Sequence, residues 1–556
     1  MAASMAGPKT GAERSAISPW SWCPTCRRHR RARPCPWPCR RSTIRRPWPP
    51  RWHRCRPGPA RRSAPMRRLS VRVPPDHRIP RTGPDTDIMT VTTSAATAAR
   101  PASLAGTLYR ALWRWHFFAG LLTLPFLLLL ASTGAIYLYK DTFDRLIDGH
   151  LLVLDRPVAP GETTLPPSEL IQAAEAALPD ARPVSYLAPA AADRSAGIGM
   201  KTADGTAITV FLDPRSGQVL GDRADLAAPM MVVRRLHSLI IAGDIPNLLI
   251  EIAGGWTVSL ILTGIWLWWP RGPKPEGKQP GGVLRIRTAS RGRPGPAGRV
   301  FWRDLHAVTG ILVAPVILFL AVSGMTWSQV WGPTVRSAAT DAGLGYPLGV
   351  WQAVPTSPVP TSALGETAWT LEDAPLPRSP ATTSAVPDIG IDRARMIVET
   401  LGIAPGYKLA LPQAPDGVYT AMVFPHDLAH QRIIHLNRWT GETLIDASYA
   451  DYGPVARATE WGVNIHMGQE WGALNRLVLL LACLALIVMC GAAPVMWWKR
   501  RPKGRLGAPR QTEGRSQAQA AALMAVPAII FPVMGATMLA ALLVETILFL
   551  MRRRGL

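Results

Sequence analysis

Four histidines of this sequence stand beside long apolar segments, where ionisable side chains are rare and count as functional candidates. They are His116, His237, His306 and His466. A haem iron takes two axial ligands, and facing helices can each supply one imidazole. Four histidines therefore predict two haem groups, which we expect to be haem b. The Cys23-Pro-Thr-Cys26 motif is not a c-type attachment site, because Arg27 rather than a histidine follows it.

The place of each histidine along its apolar segment indicates how the four would pair. His116 and His306 come just before the first and third segments, and His237 and His466 precede the second and fourth. We expect one haem between His116 and His306 and the other between His237 and His466. Zinc is a poorer interpretation, since no carboxylate or thiolate recurs with these histidines. The open alternative is structural: the histidines were inherited with the repeat, and each only caps a helix or snorkels to the membrane surface.

Arginines close to the histidines are candidates for ion pairs with haem propionates. The predicted partners are Arg114, Arg235 and Arg303, with Arg234 as a further candidate. The inner ones are equally consistent with the ordinary excess of positive charge on the cytoplasmic side of a membrane protein.

Apolar segments dominate the chain after Met89. Four are long enough to cross a bilayer core of about 30 Å at about 1.5 Å per residue. They cover residues 117–139, 252–269, 307–335 and 477–498. A fifth segment, 516–544, is interrupted by two prolines and a glycine and is followed by arginines at 552–554. It is a possible fifth span. We favour a segment that enters and returns or lies on the surface, because a single outward span would place those arginines outside.

Charge in the loops predicts the orientation. Residues 270–305 carry nine Lys and Arg against two acids, and residues 499–515 carry seven against one. The long loops are the reverse, with 140–236 holding ten bases and thirteen acids and 328–476 nine and fourteen. Short basic loops belong on the cytoplasmic side, so the N-terminus is expected inside and both long loops outside. Tryptophans would form a belt at the inner interface: Trp266, Trp268, Trp269, Trp497 and Trp498.

The chain repeats itself, which predicts an internal duplication. A glycine, a proline and a second glycine follow His116 at offsets of four, nine and eighteen residues, and the same three follow His306. A Trp-Trp pair follows both His237 and His466 at 31 and 32 residues. The outer loops also match, because 212–217 and 436–441 each read as a β-hairpin turn closed by glycine. Helical patterns at 167–177 and 392–401 precede these turns. Each outer domain is therefore expected to be small and α+β.

The first 88 residues differ from the rest of the chain. They hold 21 Lys and Arg against 4 acids, and most of the formal net charge of +25 therefore lies there. The positive charge is for this reason no sign of nucleic-acid binding by the whole protein. We interpret the segment as a disordered Arg/Pro-rich extension from a mis-called start, with translation beginning at Met89. A zinc site at Cys23, Cys26, Cys35 and Cys39 is the less favoured interpretation.

Other polar residues leave alternatives open. His426, His430 and His435 either contact a metal substrate or belong to a loop that enters a strand, and we favour the loop. Cys483 and Cys490 share a helix face and are most simply core residues. Two acids inside apolar segments, Glu251 and Glu545, are candidates for proton movement or for helix capping.

The sequence resembles the PepSY-associated transmembrane-helix proteins, also called iron-regulated membrane proteins, which include siderophore reductases. The resemblance covers residues 105–550. It rests on the motifs RWHFFAG with ASTG, RRLHS, TGIWLWWPRG, FWRDLHAVTG with AVSGM, and NIHMGQ with WWKRRPKG. It implies PepSY-like outer domains facing the periplasm, haem ligation by the four histidines, and electron transfer across the bacterial inner membrane. In some members the acceptor is a ferric siderophore. The N-terminal extension departs from the family pattern.

The predicted architecture is an α-helical integral membrane protein: a four-helix haem-binding bundle from an internal duplication, with two small α+β (PepSY-like) periplasmic domains. After the extension 1–88, the predicted parts are span 1 (105–140), outer domain 1 (141–233), a histidine segment with span 2 (234–270), a cytoplasmic loop (271–300), span 3 (301–335), outer domain 2 (336–456), a histidine segment with span 4 (457–499) and the C-terminal part (500–556).

The function expected from these features and from the resemblance is that of an oxidoreductase that reduces a ferric siderophore or other ferric chelate. No G-x-G-x-x-G fingerprint follows a strand, so the electron donor is a separate quinol or cytoplasmic reductase. One alternative is a membrane-anchored module that binds peptides or regulates a protease without redox activity. Another is a transporter or accessory subunit for metal passage.

Overall fold

The structure is a computed structural model that describes residues 104–269, 298–380, 386–504, 507–509 and 514–554, with six positions between 284 and 294. Residues 1–88 and most of the 271–300 loop lie outside the described residues, so the interpretations of the extension and of its cysteines stay predictions.

Fourteen α-helices and twelve β-strands form within the described ranges. The helices are α1 (Leu104–Tyr137), α2 (Lys140–Leu152), α3 (Pro167–Ala177), α4 (Pro229–His237), α5 (Asp244–Trp268), α6 (Arg299–Gly324), α7 (Trp331–Asp341), α8 (Leu348–Gln352), α9 (Gly390–Thr400), α10 (Pro454–His466), α11 (Gly472–Arg500), α12 (Gly514–Leu523), α13 (Ala525–Ile530) and α14 (Pro532–Arg553). The strands are β1 (Ala181–Leu187), β2 (Ala196–Thr202), β3 (Ala207–Leu212), β4 (Val219–Ala224), β5 (Ala289–Ser290), β6 (Arg293–Pro294), β7 (Thr356–Pro360), β8 (Pro375–Pro377), β9 (Lys408–Ala410), β10 (Val418–Val423), β11 (Arg432–Asn437) and β12 (Thr443–Ser448).

Five helices are long and apolar enough to cross a membrane: α1, α5, α6 with the turn after it, α11 and α14. The prediction of a multi-pass membrane protein is confirmed. Four of them form a ring in which α1 packs against α5 and α11, and α6 packs against the same two helices. The two helices that carry His116 and His306 therefore lie across the ring from one another.

Helix α6 ends at Gly324, well before the end of the apolar segment 307–335. A short turn, Met325–Trp327, follows, and α7 then begins. The carboxylate of Glu251 on α5 accepts hydrogen bonds from the main-chain amides of Val330 and Trp331, at 2.9 and 3.1 Å. It caps the start of α7, because the first amides of a helix lack partners within the helix. Glu251 was a candidate for proton movement or for helix capping, and in the structure this buried acid caps a helix.

The C-terminal segment enters the bundle and returns. At its start, Trp115 donates to the side chain of Gln517 at 2.9 Å. At its far end, Arg114 forms an ion pair with Glu545 at 2.6 Å. Both ends thus contact neighbouring residues of α1, while the turn between α13 and α14 packs against the middle of α5 at Gly255. Glu545 consequently anchors this hairpin to α1.

One eight-stranded antiparallel sheet is built from both outer segments, in the order β12-β11-β10-β9-β1-β2-β3-β4. The two outer segments, which we expected to form two small α+β domains, share this one sheet. Strand β1 pairs with β9 through Ser185–Ala410 to Leu187–Lys408, which joins the two halves edge to edge. Pairing of the two inner edges satisfies their main-chain groups and leaves only β4 and β12 as edges.

The two faces of the sheet are covered differently. Helices α3 and α9 lie side by side on one face over a single core that runs through both halves, with Ile198, Leu409 and Ile434 fully buried. On the other face, α2 covers β3 and β4, and Trp351 packs on the alternate residues of β10–β12. Successive side chains of a strand point to opposite faces, which explains this division.

The predicted hairpin turns are present. In each, an Asp or Asn side chain accepts a main-chain amide two residues on: Asp213 from Arg215 at 2.9 Å and Asn437 from Trp439 at 2.8 Å. The closing glycines, Gly217 and Gly441, have φ of 70° and 77°, a conformation that other residues rarely adopt.

The sheet lies at one end of the bundle, which we call the sheet end. There the indole of Trp369 donates to the carbonyl of Thr326, just after α6, at 2.8 Å. The opposite end, where α5 and α11 finish and α6 begins, we call the basic end, because the two short basic loops follow from it.

The hairpin path predicts that the C-terminus lies on the same side of the membrane as the start of α1. Alkaline phosphatase, which is active only outside the cytoplasm, would be fused after Leu556 or, as a control, after Gly205 in the turn between β2 and β3. We expect the two fusions to give opposite results. Equal activity in both would contradict the hairpin.

Candidate functional site

The four histidines lie in two pairs at the two ends of the bundle. His116 on α1 and His306 on α6 are close enough for a charge on one ring to repel a charge on the other. His237 and His466 are related in the same way at the sheet end. His237 and His466 are the last residues of α4 and α10, two short helices that each begin with a proline.

Three of the histidines bond a hydroxyl group on a neighbouring helix through Nδ1. His116 contacts Thr263 at 2.9 Å, His237 contacts Thr133 at 2.8 Å, and His466 contacts Ser323 at 2.8 Å. The hydroxyl residues lie on α5, α1 and α6. Each contact therefore joins two elements that are far apart in the chain.

Each hydroxyl group also donates to the main chain of its own helix. The acceptors lie four residues earlier: Leu129 for Thr133, Ser259 for Thr263 and Phe319 for Ser323, each at 2.7 Å. Because the single hydroxyl hydrogen is used in this way, the hydroxyl oxygen accepts from the imidazole, and Nδ1 carries the proton. Nε2 then has a free lone pair. Metal-binding histidines are usually oriented in this way, by a hydrogen bond from the ring nitrogen that does not bind the metal.

A glycine follows each of these hydroxyl residues. A Cβ atom added at Gly264 or Gly324 would come within 3.3 Å of Cε1 of His116 or His466, and one at Gly134 within 3.5 Å of His237. The missing side chain lets the ring lie close against the helix.

His306 is different from the other three. Its Nδ1 atom is buried and has no hydrogen-bond partner within the described ranges. The main chain of Met489 on α11 lies beside the ring.

Burial keeps the sheet-end pair uncharged. It lowers the pKa of His237 to about 4, and burial together with the nearby His237 lowers the pKa of His466 to about 3. Both rings are neutral near pH 7, as a metal ligand must be. All four rings are only partly covered by protein. Two neutral imidazoles with Nδ1 fixed and Nε2 free are a donor set that fits the axial ligation of a haem iron.

The hydroxyl residues are absent from our sequence-based candidates. The available signal is a Ser-Gly or Thr-Gly pair inside three of the apolar segments, at 133–134, 263–264 and 323–324. Such pairs are also common where membrane helices pack, so the pattern gains its meaning only from the contacts with the histidines.

The three arginines predicted to pair with propionates lie in different surroundings. Arg114 is held by Glu545 and by the carbonyl of Pro509, at 2.7 Å. Arg303 bonds Asp304 at 2.7 Å. Arg235 is half-buried, and its side chain makes no ion pair or hydrogen bond with the part of the chain that the structure describes. Arg235 is therefore the one best placed for an anionic group near the sheet-end pair, while Arg234 forms an ion pair with Glu366.

The other candidate histidines do not come together. His435 is fully buried on β11, with Nδ1 2.8 Å from the hydroxyl of Thr420 and its ring against Trp351. His430 is exposed and bonds Asp427 at 3.0 Å. Among the described residues, no group of three or more His, Cys, Asp or Glu side chains is arranged to hold a metal ion. Cys483 and Cys490 are free and buried on α11.

The fold defines a multi-pass helical membrane protein with an antiparallel sheet at one end. Its sequence matches the family described as the PepSY-associated TM region over residues 113–500. The chain belongs to this family, which confirms the resemblance drawn from its motifs. No curated protein matches the sequence.

The buried His435 predicts a pH-dependent stability. Burial lowers its pKa from an ordinary 6.5 to about 3, so the unfolded chain takes up a proton between these values and the folded chain does not. The free energy of unfolding therefore decreases as the pH falls. The buried histidine accounts for a decrease of about 2 kcal/mol between pH 7 and pH 5.

Unfolding by denaturant in detergent, followed by tryptophan fluorescence, would measure this loss. We expect His435→Leu to flatten the pH dependence by that amount, while His430→Gln, at an exposed site, leaves it unchanged. An unaltered slope in His435→Leu would contradict the assignment.

Proposed function

We propose that this protein is a di-haem b electron carrier of the bacterial inner membrane, which passes electrons from the cytoplasmic side to a ferric chelate, such as a ferric siderophore, in the periplasm. The proposal rests on one observation above all. Partly buried histidines at both ends of one bundle are paired, and three of them are held by hydroxyl groups in the tautomer that leaves Nε2 free.

The orientation is supported by charge. Both short basic loops follow from the end that carries His116 and His306, and basic loops remain on the cytoplasmic side. The sheet end would then face the periplasm. The returning C-terminal hairpin fits the same orientation, since it brings the arginines at 552–554 back toward the basic end.

When bound, two haem b groups would supply reversible one-electron chemistry of iron at two depths. His116 and His306 would hold one, and His237 and His466 the other. The hydroxyl groups of Thr133, Thr263 and Ser323 orient three of these rings. The surrounding helices are apolar, and Arg235, whose side chain has no partner among the described residues, would be available to a propionate at the sheet end.

The acceptor is proposed to meet the protein at the sheet end. The ring of Trp327 packs edge-on against His466, with 5.7 Å between the ring centroids, and this tryptophan is 42% exposed. An aromatic side chain thus leads from a candidate ligand to the surface. Ferric iron in a chelate suits this position, because its reduction weakens binding by hard oxygen ligands.

The helices of the two halves of the chain follow the same order, which supports an internal duplication as the origin of the two sites. Helices α1, α3, α4 and α5 recur in the same order as α6, α9, α10 and α11, and each set carries two of the histidines. The electron donor, a quinol or a cytoplasmic reductase, would be a separate molecule.

The absorption spectrum of the purified full-length protein tests the proposal. We expect a bis-imidazole b-type spectrum with two haems per chain. His116→Ala or His306→Ala should remove one haem and leave the other, and His237→Ala or His466→Ala should do the reverse. His430→Ala, at an exposed histidine, is the matched control and should keep both.

Protein that folds but shows no Soret band in any preparation would overturn the proposal. It would favour the alternative of a membrane-anchored, peptide-binding module without redox activity.

Electron delivery separates a reductase from a mere haem carrier. Proteoliposomes with a reductant sealed inside and a ferric chelate outside would be followed by the absorbance of a ferrous-iron indicator. We expect reduction to require both pairs, so that His116→Ala and His237→Ala each abolish it. Trp327→Leu should slow it, whereas Trp461→Leu, at another exposed tryptophan of this end, should not. Reduction at the same rate in empty liposomes would contradict the proposal.

A further inference from the structure

The two histidines of the basic-end pair have different neighbours, and the sequence repeat shows which residue differs. In the first half, Thr263 lies 26 residues after His237, and the same offset from His466 leads to residue 492. That residue is Ala492, followed by Ala493, where the first half has Thr263 and Gly264. The hydroxyl group and the glycine are therefore both missing at the fourth site.

The structure gives this correspondence a physical basis. The ring of His116 lies beside the main chain of Leu260, three residues before Thr263, and the ring of His306 lies beside the main chain of Met489, three residues before Ala492. The two rings thus occupy the same position on their helices. Ala492 is fully buried and offers no hydroxyl acceptor, and Nδ1 of His306 has no hydrogen-bond partner among the residues that the structure describes.

A hydrogen bond from Nδ1 strengthens an imidazole as a ligand, because it fixes the ring and pushes electron density toward Nε2. His116 has this support from the hydroxyl group of Thr263, and no hydroxyl group among the described residues gives it to His306. The two ligands of one iron would then differ in strength, although they have the same side chain.

We propose that His306 would be the exchangeable ligand of a haem held at the basic end, and that residue 492 is the positioning residue that determines this. The inference rests on the proposed function, because it concerns a haem between His116 and His306. A small neutral ligand such as carbon monoxide would replace His306: the bond from iron to Nε2 breaks and a bond from iron to carbon forms, with no change in the number of electrons.

Titration of the dithionite-reduced, full-length protein with carbon monoxide tests this inference by absorption spectroscopy. We expect binding to saturate at half of the haem. Ala492→Thr supplies the missing hydroxyl group and should weaken carbon monoxide binding tenfold or more, while Ala492→Val, of the same shape without the hydroxyl, should not. The Ala492→Thr variant should also lower the midpoint potential of one haem relative to Ala492→Val.

Ala492→Ser provides the same hydroxyl group in a smaller side chain, in case the threonine does not fit. Haem-loaded protein that binds no carbon monoxide, binds it equally at both haems, or responds alike to the hydroxyl and the valine variants would overturn the inference and leave the proposed function intact. Protein without haem would overturn the proposed function itself.

Discussion

The structure depends on a short chain of hydrogen bonds that occurs three times: a helix carbonyl group accepts from a Ser or Thr hydroxyl, which accepts from an imidazole. A buried polar group without a partner costs about 1–3 kcal/mol. In this series of hydrogen bonds, the hydroxyl group and Nδ1 of the imidazole ring each have a partner. Because the hydroxyl is fixed by its own helix, the ring can reach it only when the helices keep one register. The orientation of these histidines and the packing of the helices are therefore set by the same contacts.

The sheet contributes to the same arrangement from outside the bundle. Helix α4 follows β4 and helix α10 follows β12, and these strands are the two opposite edges of one sheet. The pairing of β1 with β9 joins the halves, so both edges belong to one rigid layer. His237 and His466 stand at the ends of these two helices. A joined sheet can hold them at a fixed separation, which two independent domains would not do.

Much of this could be predicted from local patterns, and the rest depends on contacts between distant residues. Apolar length and turn chemistry predicted the membrane helices and the Gly217 and Gly441 turns, since each is encoded within a few residues. The end of α6 could not be predicted, because Glu251 caps α7 from 79 positions away. The ion pair of Arg114 with Glu545 and the pairing of β1 with β9 could not be predicted either, because no local pattern specifies these partners.

In a membrane protein of this kind, polar side chains largely determine which helices pack against one another. Apolar surfaces of membrane helices discriminate poorly between partners, because lipid tails are as apolar as the helices themselves. A hydroxyl that meets a histidine, or an acid that meets an arginine or a helix start, has few alternative partners in this environment. Glu251 and Glu545 specify the positions of α7 and the C-terminal hairpin in this way. At Ala492 the hydroxyl group is missing, and Nδ1 of His306 beside it has no hydrogen-bond partner among the described residues.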